Sequence, residues 1–193
     1  MWLENGLKND KMKNYFLGFA LCLGFSFISA QNNVLDIDFE FQVYPTGLIP
    51  GCKIEKGFAA KNAVHLRLGY QIIDHRDLGV QDDETGTGYG FTLGYKRYIK
   101  DGFKAWYLGI RNDIWFNQID WKSNSASPDK NMGTTDIIVV QPTAELGYLW
   151  KLSEDWIISP SFAFGWEVNI QTEGEETGQG SILLFGLSIG RRF

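Results

Sequence analysis

Two histidines, and a set of acids and bases that recur at every second residue, are the side chains here that could do chemistry. His65 and His75 are candidate general bases. Hydrolytic use of either would need a serine or cysteine nucleophile and a carboxylate to orient the ring. His65 has no neighbouring serine in sequence, and His75 stands beside Asp74 and Asp77 without a recognisable triad. No catalytic residue is assigned on that evidence. Neither histidine has a cysteine or a close carboxylate pair at metal-ligand spacing, so no zinc site and no cofactor are expected. Asp82-Asp83-Glu84 and Glu173-Gly174-Glu175-Glu176 are acidic runs that fit no calcium-loop pattern and read as solvated loops. Gly86-Thr87-Gly88-Tyr89-Gly90 opens a strand, not a helix, which excludes a phosphate loop.

The alternating charges carry more information. Asp36, Asp38 and Glu40 share one parity, and Leu35, Ile37, Phe39, Phe41 and Val43 share the other. Side chains of a strand alternate between its faces, so this segment is a strand with one acidic and one apolar face. The same two-residue period recurs along the chain. His65 and Arg67 oppose Val64, Leu66 and Leu68; Lys96 opposes Tyr95; Arg111 and Asp113 oppose Leu108 and Ile110; Glu145 opposes Ala144 and Leu146; Glu167 opposes Trp166. With Lys53, Glu55 and Arg192, these define a predicted interior network of Asp36, Asp38, Glu40, Lys53, Glu55, Arg67, Lys96, Arg111, Asp113, Glu145, Glu167 and Arg192. Near balance of sign implies pairing, because a buried unpaired charge is costly. Such a network serves either as a filled core or as a narrow path for ions or small solutes.

Eight strands are expected to position these groups, over residues 34–44, 51–58, 63–74, 88–99, 104–119, 135–150, 155–169 and 180–193. Short links (59–62, 100–103, 151–154) alternate with long polar ones (75–87, 122–134, 171–179), except that the first outer link, 45–50, is brief. This is the asymmetry of an up-and-down membrane barrel. The polar faces carry glycine, serine and paired charges; the apolar faces carry more volume than an eight-stranded lumen holds. The pattern predicts an all-β, eight-stranded antiparallel up-and-down transmembrane β-barrel with its apolar face in lipid. A soluble lipocalin-like barrel with the apolar face inward is the competing arrangement. Tyr98, Trp106, Trp150 and Trp156 beside short turns, and Tyr44, Tyr70, Tyr89, Trp121 and Trp166 toward the long loops, are expected to form two interfacial girdles. Pro142 and Pro160 fall inside strands and are expected to sit at bulges.

The ends agree. Lys11 and Lys13 precede an apolar run from Tyr15 to Ile28, and Ser29-Ala30 offers a cleavage site, so residues 1–30 are expected to be a signal peptide, with Met12 a possible initiator. The remaining domain, 31–193, keeps one cysteine, Cys52, read as a small wall residue. The chain has 7 Trp, 8 Tyr, 14 Phe and 22 Gly at a formal charge of -5. An acidic, exported chain is a poor nucleic-acid partner.

Together with Gly90-Phe-Thr-Leu-Gly-Tyr-Lys96, Ala144-Glu-Leu-Gly-Tyr-Leu-Trp150 and the terminal Leu187-Ser-Ile-Gly-Arg-Arg-Phe193, the signal-like end Ile28-Ser-Ala-Gln31 resembles the small eight-stranded outer-membrane β-barrel proteins of Gram-negative bacteria. The resemblance implies residence in the outer membrane, contact with lipid and lipopolysaccharide, and a monomer. It also implies a terminal strand whose Phe185, Leu187, Ile189 and Phe193 are read by the barrel-assembly machinery. The expected role is non-enzymatic: structural, surface interaction, or limited passive transport of small solutes. The family also includes lipid-A-modifying enzymes, which keeps that activity as a competitor.

Overall fold

The computed structural model describes residues 34–76, 80, 82–123 and 132–193. The expected signal peptide lies outside the described residues. Eight strands follow one another: β1 (Leu35–Tyr44), β2 (Gly47–Phe58), β3 (Asn62–Arg76), β4 (Asp83–Lys100), β5 (Lys104–Lys122), β6 (Met132–Lys151), β7 (Trp156–Glu173) and β8 (Gly180–Arg192). Each pairs antiparallel with its neighbour in sequence, and β8 returns to pair with β1, closing the barrel. Closure leaves no row of unpaired backbone groups, which is the condition for a sheet to cross lipid.

The faces settle which way the barrel is turned. Ile37, Phe39, Phe41, Leu66, Leu68, Leu93, Leu108, Ile110, Phe164 and Leu187 are exposed, whereas Asp36, Asp38, Glu40, Lys53, Arg67 and Arg111 are buried. A lipocalin-like arrangement needs the reverse. The chain is therefore a transmembrane barrel with a polar inner layer, its apolar exterior matched to acyl chains. Cys52 lies outward on this wall.

Strand lengths divide the barrel into a low and a tall side. β1 has 10 residues, β2 12 and β8 13. β4 has 18, β5 19, β6 20 and β7 18. About ten tilted residues cross the hydrocarbon, so β4–β7 run on beyond it. The links expected at 75–87, 122–134 and 171–179 are accordingly shorter than expected, because strand pairing continues through Thr85↔Asp120, Asp120↔Thr134 and Asp136↔Glu173. On β4–β6 the outward face of these extensions is largely polar (Thr85, Thr87, Gln118, Asp120, Thr134, Asp136), while apolar Ile119, Trp121 and Ile137 turn inward, so the apolar-out alternation that marks a strand in lipid is lost. β2 likewise starts at Gly47, ahead of the expected 51, leaving a two-residue turn at Pro45-Thr46.

The prolines do not sit at bulges. Pro142 pairs with Asn112, and Pro160 with Leu187, without a register shift. On their other sides the ladder skips two pairs and resumes in the same register, from Val140↔Val168 to Thr143↔Gly165 and from Gly147↔Ser161 to Trp150↔Ile158. Each proline turns its missing N–H to one neighbour only, so the loss is local. Pro50 behaves alike between β2 and β3. The actual shifts lie at Ile138/Val139 and at Tyr98/Lys100.

Candidate functional site

The predicted network forms a charged layer across the lumen. Glu40 is its hub: Lys53 Nζ lies 2.7 Å from Glu40 Oε2, and Arg67 Nε and Arg111 Nη1 lie 3.3 and 3.5 Å from Oε1. Gln42 donates to the same carboxylate at 2.8 Å. Arg111 Nε donates to Asp113 Oδ2 at 3.0 Å, and Thr92 donates to the other oxygen of Asp113. One step toward the short turns, Lys96 pairs with Glu55 at 3.0 Å, Tyr98 donates to Glu55 at 2.6 Å, and Lys53 lies 3.5 Å from Asp38. The Lys96 ammonium also stands 4.3 Å from the Tyr107 ring centroid, and Tyr107 donates toward Glu145 at 3.4 Å. Ions this deep each cost several kcal/mol to desolvate, about the return of a well-made partner. The layer therefore holds only as a set.

Glu167 stands apart from that set. It accepts from Gln141 at 2.6 Å, and Gln141 accepts from the Trp115 indole at 2.9 Å. At the opposite end Arg192 grips both oxygens of Asp36, at 2.7 and 2.6 Å.

Above and below the charged layer the lumen also holds apolar clusters, which the alternation did not disclose. Tyr44, Ile49, Ile73, Trp115, Ile119, Ile137, Val139, Ala163, Ile182 and Leu184 pack together toward the loops. Ala63, Tyr98, Phe103, Tyr107, Leu149 and Ile157 pack together toward the short turns. Tyr44, Tyr98 and Trp121 are consequently buried in the lumen, not in girdles. Trp106, Trp150 and Trp156 do lie outward at the turn end, as Tyr70, Tyr89 and Trp166 do farther up. Phe103 reaches the lumen from the β4–β5 turn. Gly102 (φ 81°) and Phe103 (φ 50°) both take left-handed backbone there and aim the ring inward. Gly57 leaves room for that ring; a Cβ on it would stand 2.6 Å from Phe103 Cζ.

Contacts join opposite walls at three levels, since β1 faces β5 and β4 faces β8 in a ring of eight. In the middle, Arg111 of β5 donates to Gln42 of β1 at 3.1 Å. At the turn end, Arg192 of β8 donates to the Phe103 carbonyl at 2.9 Å. At the loop end, the Gly178 N–H, in the link before β8, donates to Glu84 of β4 at 3.2 Å. Glu84 also accepts from the Val80 N–H at 2.9 Å and lies 3.1 Å from His75 Nδ1. Glu84 is thus a buried brace and not part of a solvated acidic loop; Asp83 beside it is exposed.

His65 is buried in the charged layer, and its Nδ1 has no hydrogen-bond partner. His75 has a carboxylate partner, but no serine or cysteine among the described residues bonds to it. Among the described residues no group of three or more His, Cys, Asp or Glu is placed to hold a metal ion.

Outside, above the apolar belt, the tall side is a polar sheet. Thr134 donates to Asp120 at 2.6 Å and Gln118 to Asp136 at 3.0 Å. Its lower boundary is the stacked pair Tyr89 and Phe116, 5.5 Å apart. A groove of about 470 Å³ lies on this boundary, lined by Tyr70, Tyr89, Phe116, Gln118, Asp136 and Glu173 among others.

An apolar wall around a braced polar lumen defines an integral membrane β-barrel of the smallest, eight-stranded class. No family model matches this chain, and no curated protein matches it. Among solved structures it is similar to the N-terminal β-barrel domain of Pseudomonas aeruginosa OprF (18% identity, 84% of this chain and 98% of that one, TM-score 0.48). It is also similar to Ail, the attachment invasion locus protein of Yersinia pestis (11% identity, 83% and 95%, TM-score 0.49), and to Neisserial surface protein A (8%, 82% and 94%, TM-score 0.40).

Proposed function

We propose that this protein is a non-enzymatic resident of the Gram-negative outer membrane, exported by the segment 1–30, with both chain ends in the periplasm and the tall side of β4–β7 outside. Its role is to present a rigid surface, not to conduct. The observation that carries this reading is the bracing of the lumen at three levels by Arg111–Gln42, Arg192–Phe103 and Gly178–Glu84. An eight-stranded lumen is only just wide enough for its own side chains, and here charges, aromatics and aliphatics occupy it in turn. The polar sheet formed by β4–β7 above the lipid is the part available to partners, because a paired sheet loses little entropy on being bound. Phe185, Leu187 and Ile189 face outward on β8, and Phe193 ends the chain beside them. That is where the barrel-assembly machinery would read an apolar terminal strand. Lipopolysaccharide is the expected neighbour of the outer half, and a monomer the expected state.

The test is membrane fractionation with boiled and unboiled gel lanes of the same sample. Enrichment in the outer membrane with a heat-dependent mobility shift is expected. Recovery in the soluble periplasm would overturn the reading. The lipid-modifying alternative predicts altered lipid A on overexpression, abolished by His75→Ala; unchanged lipid A is expected here.

A further inference from the structure

Among the described residues the two rims of the barrel differ in charge. At the loop ends of the strands Asp74, Asp83, Asp120, Asp136 and Glu173 stand against Arg76 and Lys122. At the turn end Lys61, Arg97, Lys100, Lys104, Lys151 and Arg191 outnumber Asp101, Glu154 and Asp155. Two of those three acids are already engaged, Asp101 by Lys61 at 3.5 Å and Asp155 by Arg191 at 2.8 Å. Arg97, Lys100, Lys104 and Lys151 are left exposed, on the neighbouring strands β4, β5 and β6, with no ion pair among the described residues.

Lys100 and Lys104 are also direct cross-strand partners. Like charges placed opposite each other weaken a sheet, and no ion pair with a described residue relieves this one. Just toward the membrane from them runs an aromatic ladder. Trp106 meets Tyr148 at 5.2 Å between ring centroids, and Tyr148 meets Trp150 at 4.8 Å. Trp106 and Trp150 are outward, about half exposed, and such rings settle at headgroup depth. The ladder fixes the depth of the lysines: they stand level with, or just beyond, the lipid phosphates.

From this charge and this depth we propose that the turn end of β4–β6 is a headgroup site for an anionic phospholipid. Arg97, Lys100, Lys104 and Lys151 surround the phosphate, and Trp106, Tyr148 and Trp150 line the upper acyl segment. The site rests on the orientation proposed above, which puts this rim in the periplasmic leaflet.

The test is refolding into phosphatidylcholine vesicles containing a minor share of phosphatidylglycerol, with either lipid brominated on its chains to quench tryptophan. Trp156→Phe and Trp166→Phe leave Trp106 and Trp150 as the outward reporters, while Trp115 and Trp121 are shielded in the lumen. Phosphatidylglycerol is expected to be preferred about fivefold or more over phosphatidylcholine, since each basic group near an anionic surface contributes a factor of that order. The preference should fall toward unity in high salt, and in a variant carrying Arg97→Gln, Lys100→Gln, Lys104→Gln and Lys151→Gln that retains the mobility shift. Equal quenching by both lipids in the inserted wild-type barrel would overturn the site. So would a preference that survives high salt, an outcome that needs no variant. Failure of the wild-type barrel to insert into either vesicle would instead overturn the membrane-barrel reading.

Discussion

The lumen is packed toward both ends, but by different means. At the turn end the closure is packing: Phe103, Tyr98 and Tyr107 form a buried aromatic group, with Phe103 and Tyr107 at 5.5 and 5.3 Å from Tyr98. Arg192 clamps it by joining Asp36 to the Phe103 carbonyl. All of these residues lie on strands or in one three-residue turn. At the loop end the outermost closure is polar and rests on the link between β7 and β8. Gly178 bonds to Glu84, and the Glu175 N–H donates to Thr135 Oγ1 at 3.1 Å. A link held by a few hydrogen bonds opens at lower cost than packed rings, because a net hydrogen bond contributes about 1 kcal/mol and a buried aromatic contributes several times that. The difference teaches that any breathing of this barrel starts from the outside, above the aliphatic group around Trp115 and Ile137, and leaves the turn end shut.

Substitutions can break or sharpen that contrast. The largest effect is expected at the layer between the two ends. Glu40→Ala leaves Lys53, Arg67 and Arg111 around an empty hub, and should cost about 3–5 kcal/mol, read from the urea midpoint of tryptophan fluorescence in detergent. A shift within error would mean that the layer is wet and already screened. Next comes the turn end: Phe103→Ala removes a buried ring and should cost about 3 kcal/mol, with no relief of the left-handed backbone because alanine keeps its Cβ. The loop end should follow with Glu84→Gln, at about 1–2 kcal/mol, together with faster proteolysis confined to residues 174–179. If Glu84→Gln cost more than Phe103→Ala, the ranking of the two ends would be reversed. Smallest of all, Asp155→Asn breaks only the exposed pair with Arg191 and should change stability by about 0.5 kcal/mol or less.

Much of this was legible in the chain. Period-two alternation in β1 and β3 fixed both the strands and their inward faces, because each residue there is either clearly apolar or clearly charged. Four things were not legible, each for a physical reason. The upper extensions of the tall side read as loops because Thr85, Thr87 and Thr134 are polar on the outward face while Gly86 blurs the inward one. The aliphatic and aromatic ends of the lumen were missed because Ile49, Ile119, Ile137 and Tyr98 occupy inward positions that a polar-interior rule assigns to charge. Phe103 was hidden because its direction depends on the backbone of Gly102 and of itself, and Gly102 was the only local sign. The prolines were misplaced at bulges, although a missing N–H disturbs one neighbour and leaves the register intact.

The most direct test of a sealed lumen is current across a planar bilayer holding the refolded wild-type barrel. The bracing predicts no steady channel, and at most rare brief openings that become more frequent in Glu84→Gln and not in Asp155→Asn. A stable, ohmic conductance in the wild type would contradict it, and would mean that the charged layer around Glu40 is a path and not a plug.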